Sequence, residues 1–215
     1  MVLFEYDREL ISNAADAAEK LRHRQTAGES VVEPSKDLEI RIETDEASGT
    51  FAIYDSGIGL DHDELVQNLG TIAHSGSKKF LEQLKQSQQA DDIKSNLIGQ
   101  FGVGFYSTFM VADEVKVYSL SGDPSKAQGY MWYSKGDGSY EIYPAENVSR
   151  GTKIVAKLKD DAREFANEKT VEETIKKYSN YVNFPIYLNG NKINSVQAVW
   201  TLPPSKVTEE MYNGK

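Results

Sequence analysis

Short stretches of alternating apolar and polar side chains fill the middle of this chain, and they constrain its fold more than any other feature. A period of two puts successive side chains on opposite faces of a β-strand, so such stretches build a sheet with one apolar face. Residues that favour strands, β-branched and aromatic, are common in them. The segments are DLEIRIET, TFAIYD, EVKVYSL, GYMWYS, SYEIYP and TKIVAKL. The first two are close in sequence and predict a β-hairpin.

Helical patterns flank these strands. Residues 7–23 carry an apolar stripe at helical spacing, and helices are also expected at residues 61–69, 76–86, 102–111 and 170–181. A strand in FPIYLNG and a hairpin-like segment, NGNKINSVQAVW, follow the last helix. Grouped strands with helices on either side favour an α+β fold with a mixed or antiparallel sheet over a doubly wound parallel fold.

Charge and composition exclude several classes of protein. The 33 acidic and 24 basic residues give a formal net charge of -9, and Lys and Arg form no cluster, so no nucleic-acid partner is expected. The absence of cysteine excludes disulfides and thiolate metal sites. The chain has no run of about 18 apolar residues, so we expect a soluble protein without a membrane partner.

The first predicted helix carries a row of polar residues beside its apolar stripe. Glu9, Asn13 and Asp16 lie on one face, because an α-helix has roughly 3.6 residues per turn, and Lys20 extends the row. Such a row is commonly a solvated surface, and an i,i+4 ion pair between Asp16 and Lys20 explains two of its members as well as a ligand does. The helix by itself leaves both interpretations open.

Two glycine-rich loops offer binding chemistry. DSGIGLD, residues 55–61, follows a predicted strand, and its glycines leave the backbone open to a flat ligand. Asp55 could accept a hydrogen bond from an exocyclic amine such as that of adenine, although a tight turn with a local Asp acceptor gives the same pattern. GQFGVGF, residues 99–105, opens a predicted helix whose free N–H groups suit phosphate. It does not have the Walker A spacing.

The order of these motifs is more specific than any one of them. Glu and Asn four apart on a helix, DSGIG after a strand, GVGF before a helix and GTK at residues 151–153 resemble the GHKL ATPases, which include gyrase, the ninety-kilodalton heat-shock chaperones, histidine kinases and MutL. RELISNAADAAEKLR, DSGIGLDHDELVQNLGTIAHSGSKKFL and IGQFGVGFYSTFMVADEVKVYS resemble the heat-shock chaperones in particular. QGYMWYSKGDGSYEI and KYSNYVNFPIYLNG are more similar to the mitochondrial, tumour necrosis factor receptor-associated members.

The resemblance implies a fold and a domain organisation. The fold would be the GHKL, or Bergerat, ATP-binding fold, a two-layer sandwich of a mixed, largely antiparallel sheet with helices on one face. Residues 1–200 would form the ATP-binding domain. Residues 201–215, which contain paired prolines and no periodic pattern, would begin the connection to a middle domain.

The resemblance also assigns roles within the first helix and the first loop. Glu9 would be catalytic and orient the water that attacks the γ-phosphate, and Asn13 would bind Mg²⁺ beside the nucleotide. Asp55 would accept the adenine amine, and Gly59 would let the base approach closely. Leu60 stands where methionine is usual, a change that conserves side-chain volume.

The remaining nucleotide contacts implied by the resemblance surround the ribose and the phosphates. Asn68 would line that side of the pocket, and Thr152 would support the adenine corner with its hydroxyl. Residues 71–104 would form a lid that responds to nucleotide. Backbone amides of the second loop would hold phosphate charge near Gln100, Gly102, Val103, Gly104 and Phe105.

The implied function is ATP binding and hydrolysis in a homodimeric chaperone, with turnover coupled to the folding of client proteins. Inhibitors of the adenine pocket would compete with ATP and ADP. The resemblance places the protein in the mitochondrial matrix, with the cytoplasm as the alternative. A nucleotide-binding module without appreciable turnover and a more distant GHKL ATPase, of histidine kinase or topoisomerase type, are the alternative functions.

Departures from the family pattern bear on activity. MVLFEYD precedes Arg8 where a longer apolar lead is usual, so the strand that exchanges between protomers is expected to be absent. The family's arginine for the γ-phosphate would lie beyond Lys215. We therefore expect these residues to be a fragment that binds nucleotide and is nearly inactive by itself.

Other conspicuous residues have structural explanations. His23, His62 and His74 lack the spacing of metal ligands, so no zinc is expected. The aromatic run in GYMWYS alternates as a strand does and is expected to pack against the protein rather than against nucleic-acid bases.

Overall fold

The computed structural model of the chain describes residues 4–70, 105, 107–178 and 182–194. Its α-helices are α1 (Phe4–Thr26), α2 (His62–Leu65), α3 (Ser107–Val111) and α4 (Glu168–Tyr178). A π-helical turn continues α2 over Val66–Gly70, and 3₁₀ helices lie at Pro124–Lys126 and Asp160–Ala166. The strands are β1 (Ile40–Asp45), β2 (Thr50–Asp55), β3 (Ala112–Leu120), β4 (Gly129–Ser134), β5 (Glu141–Pro144), β6 (Gly151–Leu158), β7 (Ile186–Leu188) and β8 (Asn191–Lys192).

The eight described strands form one sheet in the order β5-β4-β3-β6-β2-β1-β7-β8. Neighbours are antiparallel except β1 and β7, which run parallel. The predicted α+β class and the mixed, largely antiparallel sheet are therefore confirmed. The predicted hairpin is the β1–β2 pair, in which Ile42 lies opposite Ile53.

Helices cover one face of this sheet. Ile40 and Ile42 of β1 are buried, whereas Arg41 and Glu43, which point to the opposite face, are exposed, as a period of two predicts. Helix α1 packs against β1, β2 and α4 and contributes Leu10 to the core. The result is the expected two-layer arrangement.

Helix α1 is longer at both ends than the predicted residues 7–23. The helix continues beyond its apolar stripe because side-chain and backbone hydrogen bonds hold the last helical turn. The Thr26 hydroxyl donates to the carbonyl of Arg22 at 2.8 Å. Gly28 then takes a positive φ of 78°, which ends the helix.

The other helices differ from prediction mainly in extent. The segment predicted as one helix at 61–69 is a short α-helix followed by a π-helical turn, and Asp61 fixes its start through a capping box with Glu64. Helix α4 starts two residues early because the Asn167 side chain accepts from the N–H groups of Lys169 and Thr170. Only part of 102–111 is described, as α3. The predicted helix 76–86 lies outside the described residues.

The aromatic run of β4 packs as predicted. Trp132 is buried in the core and contacts the rings of Phe105 and Tyr140, while Tyr130 and Tyr133 are half-buried. No helix in the described part of the chain is long and apolar enough to cross a lipid bilayer.

Candidate functional site

A cavity of about 660 Å³ opens between α1, the ends of β2 and β6, and the turn after α2. Small-molecule sites typically occupy roughly 300–1,000 Å³. The fold brings predicted site residues from distant parts of the sequence into its lining. They are Asn13, Asp55, Gly59, Leu60, Asn68, Phe105 and Thr152.

Two rows of side chains cross three neighbouring strands beneath the cavity. In the first row Asp55 of β2 lies opposite Thr152 of β6, which lies opposite Ser119 of β3. Opposite residues of antiparallel strands share a face of the sheet. The second row lies two residues away from the first on each strand. It consists of Ile53, Ile154 and Val117. The site therefore has a polar end beside an apolar floor.

Asp55 is the buried acid of this polar end. Its side chain is only 6% exposed, and one carboxylate oxygen accepts the N–H of Gly57 at 2.9 Å. Burial raises the pKa of Asp55 to about 7, although the backbone N–H groups of Gly57 and Thr152 oppose the shift. A ligand that donates a hydrogen bond here favours the charged carboxylate.

The loop after Asp55 is held between α1 and β3. The N–H of Ile58 donates to the carbonyl of Ala17 in α1 at 3.0 Å, and a Cβ at Gly57 would lie 2.5 Å from the backbone of the same residue. Gly59 has a φ of 63°, and a Cβ there would lie 2.0 Å from the carbonyl oxygen of Leu120. Glycine at this position is therefore required by the loop itself, in addition to the predicted approach of a base.

Ser119 joins the loop to β6. It is fully buried, and its hydroxyl accepts the N–H of Leu60 at 2.8 Å and donates to the carbonyl of Gly151 at 3.0 Å. The same oxygen lies 2.9 Å from the Thr152 hydroxyl. Sequence reasoning missed Ser119, although a polar residue that faces the helices from an otherwise apolar strand is a usable signal.

Arg150 also supports the loop that follows Asp55. Its side chain is fully buried, and its guanidinium donates to the carbonyls of Ser56 at 3.1 Å and Lys36 at 3.1 Å. It also donates to the carbonyls of Val32 and Glu33. Sequence reasoning missed this residue too, although it directly precedes the GTK motif. Arg150 ties the segment before β1 to the turn that follows Asp55.

The polar row of α1 borders the cavity. Asn13, Asp16 and Lys20 all line it, and in the described structure no ion pair joins Asp16 to Lys20. The solvated ion pair is therefore not the explanation for these two residues. Glu9, one turn before Asn13, is half-buried and is not among the lining residues.

Some predicted residues fall outside the described part of the chain. They are Gln100, Gly102, Val103 and Gly104, together with the rest of the expected lid at 71–104. Within the described residues, no group of three or more acidic or histidine side chains could hold a metal ion.

Comparison with known proteins identifies similar sequences over most of the chain. Residues 8–164 match the family model described as histidine kinase-, DNA gyrase B-, and HSP90-like ATPase. Heat shock protein 75 kDa, mitochondrial, from Rattus norvegicus is 53% identical over 202 residues, which are 94% of this chain and 28% of the relative. The TNF receptor-associated protein 1 homolog, mitochondrial, from Dictyostelium discoideum is 49% identical over 204 residues, 94% of this chain and 28% of its own length.

Bacterial relatives are nearly as similar. Chaperone protein HtpG from Desulfitobacterium hafniense (strain Y51) is 51% identical over 205 residues, 95% of this chain and 33% of the relative. The chain spans about a third or less of the length of these curated relatives. The predicted resemblance to the heat-shock chaperones and their mitochondrial members is confirmed.

Proposed function

Because the chain belongs to the histidine kinase-, DNA gyrase B- and HSP90-like ATPase family, we propose that its cavity binds ATP and ADP. The observation that carries the proposal is the position of Asp55, a buried carboxyl at the end of β2 in the wall of a cavity with an apolar floor. The proposal also gives the polar row of α1 a function beside the nucleotide.

The base would lie at the polar end of the cavity. Asp55 would accept a hydrogen bond from the exocyclic amine of adenine, since a charged carboxylate is the stronger acceptor. Ile53, Ile154 and Val117 are neighbours in the cavity lining and form an apolar surface, which suits an aromatic ring. Leu60 lines the same cavity and would contact the base.

The phosphates would extend along α1. Asn13 is exposed on the cavity wall and offers one amide oxygen, which fits Mg²⁺ because this ion takes few protein ligands and keeps water and phosphate oxygens around it. Bound Mg²⁺ would neutralise phosphate charge. Asn68 would contact the ribose or phosphate side, and amides near Gln100 to Phe105 would hold the phosphates.

Glu9 would act in hydrolysis. A carboxylate one turn before Asn13 would orient and polarise the water that attacks the γ-phosphate in line. Turnover would drive a homodimeric chaperone through its cycle on client proteins, and adenine-pocket inhibitors would block it. Relatives named as chaperones support this proposal. Mitochondrial relatives support a place in the matrix, and bacterial relatives leave the cytoplasm as the alternative.

A second candidate is a nucleotide-binding module without appreciable turnover. The observation that favours it is the position of Glu9 outside the cavity lining. A histidine kinase or topoisomerase function is not favoured, because relatives at about half identity are named as chaperones or heat shock proteins.

Separate measurements of binding and turnover distinguish the candidates. Calorimetry on the 215-residue chain should show Mg²⁺-dependent ATP binding that Asn13→Ala weakens and Glu9→Ala leaves intact. Phosphate release should be near background for these residues alone, and Glu9-dependent in the gene product at its native length. Turnover that persists in the native-length Glu9→Ala protein would assign hydrolysis to another residue. Ser12 is exposed on the same helix, and Ser12→Ala provides a matched control.

A further inference from the structure

We propose that Ser119 is a positioning residue that sets base selectivity by fixing the proton of the Thr152 hydroxyl. The inference rests on the proposed nucleotide function and adds to it a determinant of which base is bound. Ser119 lies directly behind Thr152 in the polar row and is fully buried, whereas Thr152 lines the cavity. Ser119 would therefore act on the ligand through Thr152 and never touch it.

The hydrogen bonds of Ser119 determine which hydroxyl donates in its contact with Thr152. The Ser119 oxygen accepts from the N–H of Leu60, and its one proton is directed to the carbonyl of Gly151. The third neighbour of that oxygen is the Thr152 hydroxyl, 2.9 Å away. Either hydroxyl could donate in this contact, and we assign Thr152 as the donor because the carbonyl of Gly151 can only accept and takes the Ser119 proton.

This direction of donation determines what Thr152 offers the cavity. A hydroxyl whose proton is bound to Ser119 has only lone pairs left for a ligand. Asp55, directly opposite Thr152 on β2, is also an acceptor when charged. The polar end of the cavity is therefore a pair of acceptors, which matches an amine and opposes a carbonyl.

The purine bases differ at this position. The six-position of adenine carries an amine with two N–H groups, and that of hypoxanthine carries a carbonyl oxygen. When Asp55 is charged, the site has only acceptors and leaves buried groups unpaired if the carbonyl form binds, and such mismatches can reject an analogue strongly. At pH 8, where Asp55 is mostly charged, ADP should therefore bind much more tightly than inosine diphosphate.

Ser119→Ala tests the role of the relay. Without its acceptor, the Thr152 proton is free to turn toward the cavity and donate to a carbonyl. The ratio of ADP affinity to inosine diphosphate affinity should fall by about tenfold, the effect of one net hydrogen bond. Loss of folding alone would lower the apparent affinities for both ligands by the same factor and leave their ratio unchanged.

Two further variants isolate the pathway. Thr152→Ala should lower the same ratio without disturbing the bonds of Ser119 to Leu60 and Gly151. Ser119→Ala added to Thr152→Ala should not change the ratio again, because the effect of Ser119 passes through Thr152. Ser119→Thr, which retains a hydroxyl, should keep the selectivity of the original chain.

Ser134→Ala is a matched control for packing. Ser134 is a buried strand serine whose hydroxyl donates to the carbonyl of Ser139 and accepts the N–H of Gly136, and it is not in the cavity lining. The ratio of ADP affinity to inosine diphosphate affinity in Ser134→Ala should equal that of the original chain. An unchanged ratio in Ser119→Ala would overturn the inference, whatever Thr152→Ala does, while ADP binding still supports the proposed function. If the original chain fails to bind ADP, the proposed function itself is wrong.

Discussion

Arg150 donates a hydrogen bond from its Nε to the carbonyl of Ser56, 3.1 Å away, and Ser56 directly follows Asp55. The same guanidinium holds carbonyls of the segment before β1. Burial lowers the pKa of Arg150, although the charge of Glu33 opposes the shift, and within the described residues no ion pair joins Arg150 to a carboxylate. Four backbone carbonyls take the place of a counter-ion and fix the turn on which Asp55 depends.

Arg150→Met should destabilise the fold strongly. It leaves buried carbonyls without donors, and the loss should be about 2–5 kcal/mol in the free energy of unfolding. Urea denaturation followed by circular dichroism measures it. Arg163→Met removes an exposed arginine paired with Asp160 and should change stability by less than about 0.5 kcal/mol. Equal midpoints for the two variants would mean that Arg150 does not support the turn.

Asp7 predicts a pH-dependent stability. It is 1% exposed in α1, one carboxyl oxygen has no hydrogen-bond partner, and burial raises its pKa to about 7 from a usual 3.8. The unfolded chain ionises first as the pH rises, so stability should fall between about pH 4 and pH 7 and level off above that range.

Asp7→Asn removes this titration. At pH 8 the variant should unfold at higher urea than the original chain, and at pH 4 the two should be similar. Asp113→Asn, at an exposed position, is the control and should have the stability of the original chain at both pH 4 and pH 8. A variant that is less stable than the original chain at pH 8 would show that the Asp7 carboxylate has a stabilising partner.

Ligand affinity should depend on pH through Asp55. Its pKa is about 7 in the free protein, and the amine of the base binds best to the charged form. Affinity should therefore rise with pH, and the gain between pH 6 and pH 8 should be about tenfold. Adenosine is the appropriate ligand because it has no phosphate to titrate. A flat profile would mean that Asp55 is already charged in the free protein.

Part of the fold was predictable from the sequence because strands such as β1 follow their alternation. DLEIRIET contains β1, in which Ile40 and Ile42 are buried and Arg41 and Glu43 are exposed. The extent of helices was less predictable, since α1 and α4 end or begin through caps such as Thr26 and Asn167 that lie outside the apolar stripe. Side-chain bonds of that kind leave no periodic signal.

The candidate site was predictable where a motif exposes its chemistry. Asp55 and Thr152 lie in DSGIG and GTK, and the structure places them side by side. Ser119 and Arg150 were not predicted, because their roles depend on strands and carbonyls that are distant in sequence. A serine in an apolar strand marks Ser119 as unusual, but the partners of both residues follow from register and burial, which the folded chain reveals.

The most direct test of the account is an ADP titration of the 215-residue chain and its Asp55→Asn variant by calorimetry, with Asp113→Asn as the control. The substitution replaces the acceptor oxygen that would meet the adenine amine, so affinity should fall by at least the equivalent of about 1–3 kcal/mol, and binding should become undetectable if the charged acceptor dominates. Circular dichroism should show that the variant remains folded. The proposed site predicts full ADP affinity in the original chain and the Asp113→Asn variant, and a reduced or undetectable affinity in Asp55→Asn. Undiminished ADP affinity in folded Asp55→Asn protein would contradict it.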